Sequence, residues 1–161
     1  MENKFKGPKK SNQHINPDSG KYIQRTNAGR AKESYGKNGK HGSHILSFCV
    51  TNTFYNNQPG QPFSSQNKQK IVKYLNQNEN ISIKSARSNQ IVDERQDARI
   101  SDALIYGDSL QYNTSIKRAQ RQYEIAQGMD ELSSLAEAFG ELKIYNQETG
   151  RCHKLKNHHK Y

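Results

Sequence analysis

Two neighbouring segments between residues 114 and 144 repeat apolar residues at steps of three and four, and they constrain the fold more than any other part of the chain. Such spacing places apolar side chains along one face of an α-helix. Gly128 stands between the segments and is typical of a helix end. The sequence therefore predicts a helical hairpin over about residues 114–144. Its packing face consists of Ile116, Ala119, Tyr123, Ala126, Met129, Leu132, Leu135, Ala136, Phe139 and Leu142.

Two further helices are indicated upstream of this hairpin. In the first, Ser64 or Ser65 provides an N-cap before a short apolar stripe at residues 71–75. The second covers about residues 86–106 with a looser periodicity, and Gly107 is well placed to end it.

Residues 45–55, ILSFCVTNTFY, are rich in β-branched and aromatic side chains. This composition predicts one short strand, which the turn-forming sequence NNQPGQP then ends. In that strand Cys49 would lie on the more polar face and pack as a small side chain. Because one strand alone is not stable, we expect it to pair with residues 81–83, with residues 142–145 or with a neighbouring protein.

Apolar side chains are too few to order the whole chain. They make up 31% of its residues, against about 45–50% in a typical globular protein. Each ordered residue costs about 1–2 kcal/mol of backbone entropy, which burial must offset. We therefore expect a mainly α fold, a small irregular helical module over residues 45–148 with one short β segment. A long extended basic arm over residues 1–44 and a basic tail over residues 149–161 would become ordered on a partner.

The net charge of +10 is concentrated at the two ends of the chain. Residues 1–44 hold ten Lys and Arg against three acidic residues, and residues 149–161 hold four against none. Residues 86–148 instead hold seven against eleven. Basic arms of this kind bind polyanions, because Lys and Arg near phosphates release condensed counterions. Tyr22 and Tyr35 lie among these charges and could stack on exposed bases. The predicted nucleic-acid contacts are Lys9, Lys10, Lys21, Tyr22, Arg25, Arg30, Lys32, Tyr35, Lys37, Lys40, Arg151, Lys154, Lys156 and Lys160.

These features predict a small basic accessory or structural subunit that binds RNA or DNA, and protein subunits, within a nucleoprotein complex. We expect no catalytic residues and no cofactor. An acidic protein surface, such as a cytoskeletal filament, is the alternative partner, because extended polar chains with scattered aromatic residues suit it equally. The start MENKFKGPKK lacks the apolar core of a signal peptide, and no run approaches the ~18 apolar residues of a membrane span. We therefore expect an intracellular protein, cytoplasmic or nuclear, with reduced thiols and no membrane contact.

His41, His44 and Cys49 are candidate metal ligands, with Cys152 and His153 as further candidates. Structural zinc sites usually show tighter paired spacing, such as C-x2-C, which is missing here. We therefore expect no metal at these residues, and we expect the histidines to hydrogen-bond to backbone or phosphate.

An enzyme is the remaining alternative. The triplet HGS at residues 41–43 resembles the H-G-S with which some ADP-ribosyltransferases hold NAD. That resemblance and the possible metal ligands leave a NAD-using effector or a metal-dependent nuclease as less favoured hypotheses.

Overall fold

A computed structural model describes residue 5 and residues 13–15, 22–24, 40–60, 62–85 and 92–158 of the chain. Within these residues the fold is mainly helical, as predicted. The α-helices are α1 (Phe48–Asn56), α2 (Ser65–Leu75), α3 (Glu94–Tyr106), α4 (Asn113–Gln127) and α5 (Ser133–Gly140). The strands are β1 (Gln13–Ile15), β2 (Tyr22–Gln24), β3 (Lys40–His44), β4 (Ile81–Ser85), β5 (Lys143–Asn146) and β6 (Arg151–Lys154).

Within the described ranges the strands form three antiparallel pairs: β1 with β2, β3 with β4, and β5 with β6. In the second pair Lys40 lies opposite Ser85 and His44 lies opposite Ile81. Leu110 adds a parallel bridge to Ile144 of β5. An isolated two-stranded hairpin is only marginally stable in water. The β3–β4 and β5–β6 pairs therefore depend on their contacts with the rest of the fold.

The strand predicted over residues 45–55 is wrong, because most of this segment forms α1. Ser47 caps the helix, and its Oγ accepts a hydrogen bond from the Val50 amide at 3.1 Å. The buried residues of α1 are Val50, Thr51, Phe54 and Tyr55, which follow the helical period. Cys49 is exposed on this helix, so its predicted packing in a strand is also wrong.

The strand partners proposed for residues 45–55 pair elsewhere. Residues 81–83 belong to β4, which pairs with β3, and residues 143–145 belong to β5, which pairs with β6. Both segments therefore form strands, but neither pairs with residues 45–55.

The two upstream helices are present, the first with its predicted N-cap and the second with its predicted final glycine. Ser64 caps α2, and its Oγ accepts from the Asn67 amide at 3.2 Å. Gly107 ends α3 in the left-handed conformation, with φ 75°, as is typical of a glycine after a helix. The described helix begins at Glu94, and residues 86–91 lie outside the described residues.

The predicted helical hairpin is confirmed by α4 and α5, which pack against each other and enclose much of the core. Residues 143 and 144, the last two of the predicted hairpin, belong to β5 instead of a helix. The longest described helix, α4, has 15 residues, and no helix of the described ranges has the length and apolarity to cross a membrane. The fully buried large apolar side chains are Leu46, Val50, Ile71, Leu75, Ile100, Leu132, Leu135, Phe139 and Ile144.

Gly128 has a second role beyond ending α4, because α2 crosses the chain at this point. Tyr74 of α2 donates a hydrogen bond from its hydroxyl to the Ile125 carbonyl at 2.6 Å. A Cβ added at Gly128 would overlap that hydroxyl oxygen. The absence of a side chain at residue 128 therefore lets α2 and the end of α4 approach closely.

We expect Gly128→Ala to destabilise the fold by about 1–3 kcal/mol, the usual cost of forcing extra atoms into a packed region. Tyr74→Phe removes the overlapping oxygen, so the alanine should cost less in the Tyr74→Phe background than in the wild-type background. A double-mutant cycle by urea unfolding measures this difference. Equal costs in both backgrounds would show that Tyr74 does not determine the need for glycine.

Phe5 anchors the beginning of the chain to an aromatic cluster on the helical module. Its side chain is 2% exposed, and its ring lies 6.1 Å from Tyr55 and 5.6 Å from Phe63 between centroids. The Phe5 amide donates to Asn52 Oδ1 at 2.6 Å. Burial raises the pKa of the neighbouring Tyr55 to about 12, although a hydrogen bond from the Leu135 amide opposes this.

The described ends of both predicted basic arms contact the module. Residues 40–44 form β3, and residues 151–154 form β6. Leu155 directly follows β6 and is buried, and its amide donates to the Leu142 carbonyl at 2.8 Å. Most of the first arm lies outside the described residues.

Arg118 is the centre of a buried ion network that joins β3 to α3 and α4. Its Nε donates to Asp97 Oδ1 at 2.7 Å and its Nη2 donates to Asp97 Oδ2 at 3.1 Å, which makes the pair bidentate. Asp93 lies 3.6 Å from Arg118 Nη1 and accepts from Ser43 Oγ at 3.3 Å. Arg118 Nη2 also reaches the His44 carbonyl at 3.4 Å. These contacts fix the end of β3 over the two helices.

Gln122 lies one turn further along α4 and completes this network. Its Nε2 donates to Asp97 Oδ1 at 2.8 Å and to the Ile45 carbonyl at 3.0 Å. Burial alone would lower the pKa of Arg118, but the hydrogen bond and charge of Asp97, together with the charge of Asp93, raise it above its ordinary value. The guanidinium therefore stays charged within the core.

Asn80 connects the start of β4 to two other segments through its buried side chain. Oδ1 accepts from the Leu46 amide at 2.7 Å, and Nδ2 donates to the Leu46 carbonyl at 3.1 Å. Nδ2 also donates to the Leu75 carbonyl at 2.8 Å, near the end of α2. The Asn80 side chain thus pairs with Leu46 as a neighbouring strand would, and satisfies one of the carbonyls that a helix end leaves open.

Candidate polyanion-binding surface

The β5–β6 hairpin carries exposed basic side chains. Lys143 of β5 lies opposite Lys154 of β6, and both are exposed, as is Arg151 at the start of β6. Side chains alternate between the two faces of a strand pair. Lys143 and Lys154 therefore share one face, whereas the buried Ile144 and its partner His153 share the other.

Backbone hydrogen bonds hold this hairpin firmly on the module. Leu110 donates to the Lys143 carbonyl at 2.8 Å, and its own carbonyl accepts from Tyr145 at 2.9 Å. On the other side, Leu155 donates to the Leu142 carbonyl and buries its side chain. The basic residues of β6 are therefore carried on a fixed element rather than on a free tail.

Glu141 binds two of the lysines at the base of the hairpin. Its carboxylate lies 2.6 Å from Lys154 Nζ and 2.7 Å from Lys156 Nζ. The hydrogen bonds from Lys154 and then Lys156 lower the pKa of Glu141 to about 2, and the hydrogen bond to Glu141 raises the pKa of Lys156. One carboxylate thus meets two ammonium groups, which leaves an excess of positive charge.

His153 and His158 form a hydrogen-bonded pair next to these lysines. His153 Nε2 lies 2.6 Å from His158 Nδ1, the ring planes are 9° apart and the centroids are 4.9 Å apart. The centroid separation equals the nitrogen–nitrogen distance plus the distance from each ring centroid to its own nitrogen, so the two centroids and the two nitrogens lie on one line. The rings therefore lie end to end in nearly one plane, with the two nitrogens pointing directly at each other.

Two exposed aromatic side chains, Tyr106 and Tyr112, lie on either side of Leu110 in the sequence. The Arg99 guanidinium lies 4.6 Å from the centroid of the Tyr112 ring. Tyr112 is 56% exposed and Tyr106 is 73% exposed. Tyr112 follows Leu110 by two residues, and Leu110 is hydrogen-bonded to β5. Aromatic rings and guanidinium groups of this kind can stack on nucleic-acid bases.

Three of the predicted contact residues lie on the described C-terminal segment: Arg151 and Lys154 on opposite faces of β6, and Lys156 in the turn after it. It places Tyr22 on β2 and Lys40 on β3. The remaining predicted contacts lie outside the described residues; they are Lys9, Lys10, Lys21, Arg25, Arg30, Lys32, Tyr35, Lys37 and Lys160.

Sequence reasoning did not find Lys143, Arg99 or Tyr112 as members of this surface. Lys143 follows a predicted helix and belongs to a region with more acidic than basic residues. Its proximity to Lys154 depends on the register of β5 and β6, which the sequence does not specify. The Arg99–Tyr112 contact joins α3 to the residue that precedes α4 and has no short-range sequence signal.

His44 and Cys49, two of the candidate metal ligands, do not form a common site. His44 Nε2 lies 2.9 Å from Asn76 Oδ1, and its ring packs edge-on against Phe48. Cys49 is exposed on α1. Among the residues that the structure describes, no three His, Cys, Asp or Glu side chains are grouped so that they could hold a metal ion.

Comparison of the chain with protein-family models, with curated proteins and with solved structures gives no match.

Proposed function

We propose that the chain is a small accessory subunit of a nucleoprotein assembly, which binds the phosphate backbone of RNA or DNA through its basic ends and acts by binding rather than by catalysis. The observation that carries this proposal is the concentration of exposed basic side chains on one fixed hairpin. Lys143 and Lys154 lie on one face of the hairpin, Arg151 lies on the other face, and Lys156 follows β6; Glu141 is the acidic partner of Lys154 and Lys156.

The position of Lys143 opposite Lys154 supports a role in binding. Like charges directly opposite each other in a strand pair destabilise it by roughly 0.2–1 kcal/mol. Glu141 relieves part of this repulsion at Lys154. A phosphate group beside Lys143 would relieve the rest and would release condensed counterions.

The charge of the N-terminal segment adds to that of the hairpin. Residues 6–39 contain eight Lys and Arg against two acidic residues. The segment follows Phe5, which is buried in the aromatic cluster, and precedes β3, which is fixed by the Arg118 network. Both ends of this basic segment therefore lie on the folded module, and a polyanion bound to it would be held close to the subunit.

We expect Lys143→Gln with Arg151→Gln to weaken binding to a labelled single-stranded RNA and to flatten its salt dependence. Removal of one cation from a phosphate should reduce the slope of log K against log salt by roughly 0.7. Neutralising Lys9, Lys10, Lys21, Arg25, Arg30 and Lys32 together should reduce the slope further for the same reason. Fluorescence anisotropy at several salt concentrations measures the slope, and a duplex DNA probe of equal length compares RNA with DNA.

The matched control is Lys117→Gln with Arg121→Gln, which removes one exposed Lys and one exposed Arg from α4. This variant has the same net charge as the hairpin variant, so an equal decrease of slope in both would contradict a specific role of the hairpin. Absence of binding to RNA and DNA at low salt, together with retention of protein partners after nuclease treatment, would favour the acidic protein surface as the partner.

A further inference from the structure

The hydrogen bond between His153 and His158 has an ionisable group at each end. Because Nε2 of one ring and Nδ1 of the other point at each other at 2.6 Å, there is room for only one proton between them. One ring donates this proton and the other accepts it. Protonation of both nitrogens would direct two N–H groups at the same point, so it requires the rings to separate.

Acid pH favours this doubly protonated pair, because a proton is added at the acceptor nitrogen, and an anion bound between the rings would favour it further by pairing with both cations. Once separated, the two rings present two cationic N–H donors towards the gap that the shared proton occupied. An anionic oxygen placed in that gap would accept from both rings. Charge-assisted hydrogen bonds of this type are roughly twice as strong as neutral ones.

The charged groups around the pair favour an anion over a metal ion. Arg151, Lys154 and Lys156 lie on the same segment as the histidines, and Lys143 lies on the neighbouring strand β5. The nearby acidic groups are Glu137 on the packed helix α5 and Glu141 directly after it, and Glu141 is bound by two of these lysines. Tyr123 of α4 also lies near Lys156.

From this geometry we propose that His153 and His158 form a proton-gated binding site for a phosphate group. The site is closed at alkaline pH by the mutual hydrogen bond and opens when both rings are protonated. Arg151, two residues before His153 and on the same face of β6, supplies a further donor at its edge. The identity of the natural ligand rests on the proposed function, because the phosphate is that of the bound nucleic acid.

The first test uses the protein alone with inorganic phosphate. At pH 8 the pair should show a nitrogen–nitrogen coupling across the hydrogen bond by NMR of ¹⁵N-labelled protein, and this coupling should disappear at pH 5.5. Phosphate added at pH 5.5 should shift the ring resonances of both histidines, whereas phosphate at pH 8 should not. A coupling that persists at pH 5.5, or rings that do not respond to phosphate there, would overturn the proposal.

The second test measures binding of a labelled oligouridylate RNA at pH 8 and pH 5.5 at one ionic strength. We expect binding to tighten about tenfold at the lower pH, as one added charge-assisted hydrogen bond would give. His153→Gln and His158→Gln keep a hydrogen-bonding side chain but cannot become charged. Each should reduce the pH effect, with circular dichroism confirming that the fold is retained.

The matched control is His159→Gln, which removes a neighbouring histidine outside the pair and should keep the pH effect. Equal reductions of the pH effect in His153→Gln and His159→Gln would contradict the gated site, while RNA binding itself would stand. If RNA is not bound at either pH although phosphate shifts both rings at pH 5.5, the proposed function fails and the phosphate site is supported. If binding of polyglutamate tightens at the lower pH and binding of RNA does not, the site binds carboxylates, and the proposal of a phosphate ligand is wrong.

Discussion

Replacing Arg118 with alanine should lower the free energy of unfolding by about 3–5 kcal/mol, the usual cost of removing one partner of a buried ion pair. The carboxylates of Asp97 and Asp93 would then remain buried without their cation. The His44 carbonyl would also lose a donor, so the end of β3 would be less firmly held. Urea unfolding followed by circular dichroism measures the change.

The matched control for this prediction is Arg121→Ala, three residues along the same helix. Arg121 is exposed, so this variant should change stability by no more than about 0.5 kcal/mol. Arg118→Lys keeps the charge but cannot form the bidentate pair with Asp97, and its stability should fall between the other two. If Arg118→Ala costs as little as Arg121→Ala, the network contributes nothing to the fold.

The second large effect is expected at Asn80, where alanine should cost about 3 kcal/mol. Its side chain satisfies the amide and carbonyl of Leu46 and the carbonyl of Leu75. Each buried group left without a partner costs about 1–3 kcal/mol, and partial hydration would reduce the sum. Hydrogen exchange offers a local measurement, because the Leu46 amide should lose its protection well before the amides of α4 and α5.

Two variants make the Asn80 experiment specific. Gln77→Ala changes an exposed amide side chain just before the same turn and should have little effect on stability. Asn80→Asp keeps the acceptor for the Leu46 amide but loses both donated hydrogen bonds and buries a charge, so it should be at least as destabilising as alanine. Protection of the Leu46 amide in Asn80→Ala would contradict the role assigned to the side chain.

The helices that could be predicted are those whose signals are local. Ser64 as an N-cap, Gly107 as a helix end and the apolar spacing from Ile116 to Phe139 all act within a few residues. The segment at residues 48–56 was misread because its β-branched and aromatic residues also favour a strand. The cap at Ser47 and the spacing of Val50 and Phe54 decide in favour of a helix.

Contacts between distant residues could not be predicted. The strand HGSH pairs with residues 81–84, and the side chain of Asn80 forms hydrogen bonds with Leu46 just beyond this pair. Neither the register of the strands nor the contact of Asn80 with Leu46 is indicated by a sequence pattern. For the candidate surface, sequence reasoning identified Arg151, Lys154 and Lys156 from their charge alone. It could not identify the pairing of Lys143 with Lys154 or the end-to-end arrangement of His153 and His158, because both depend on how the chain folds back.

Some contacts of α4 join residues that are close in the sequence and others join residues that are far apart. This difference predicts the order in which the contacts form during folding. Arg118 and Asp97 are 21 residues apart, whereas Arg118 and His44 are 74 apart and Gln122 and Ile45 are 77 apart. Closing a longer loop costs more entropy, so contacts among α3, α4 and α5 should form before the attachment of residues 44 and 45. Interactions that form after the transition state mainly govern the unfolding rate. The hydrogen bonds from α4 to the His44 and Ile45 carbonyls therefore belong to the late contacts, and their loss should shorten the lifetime of the native module by speeding its unfolding.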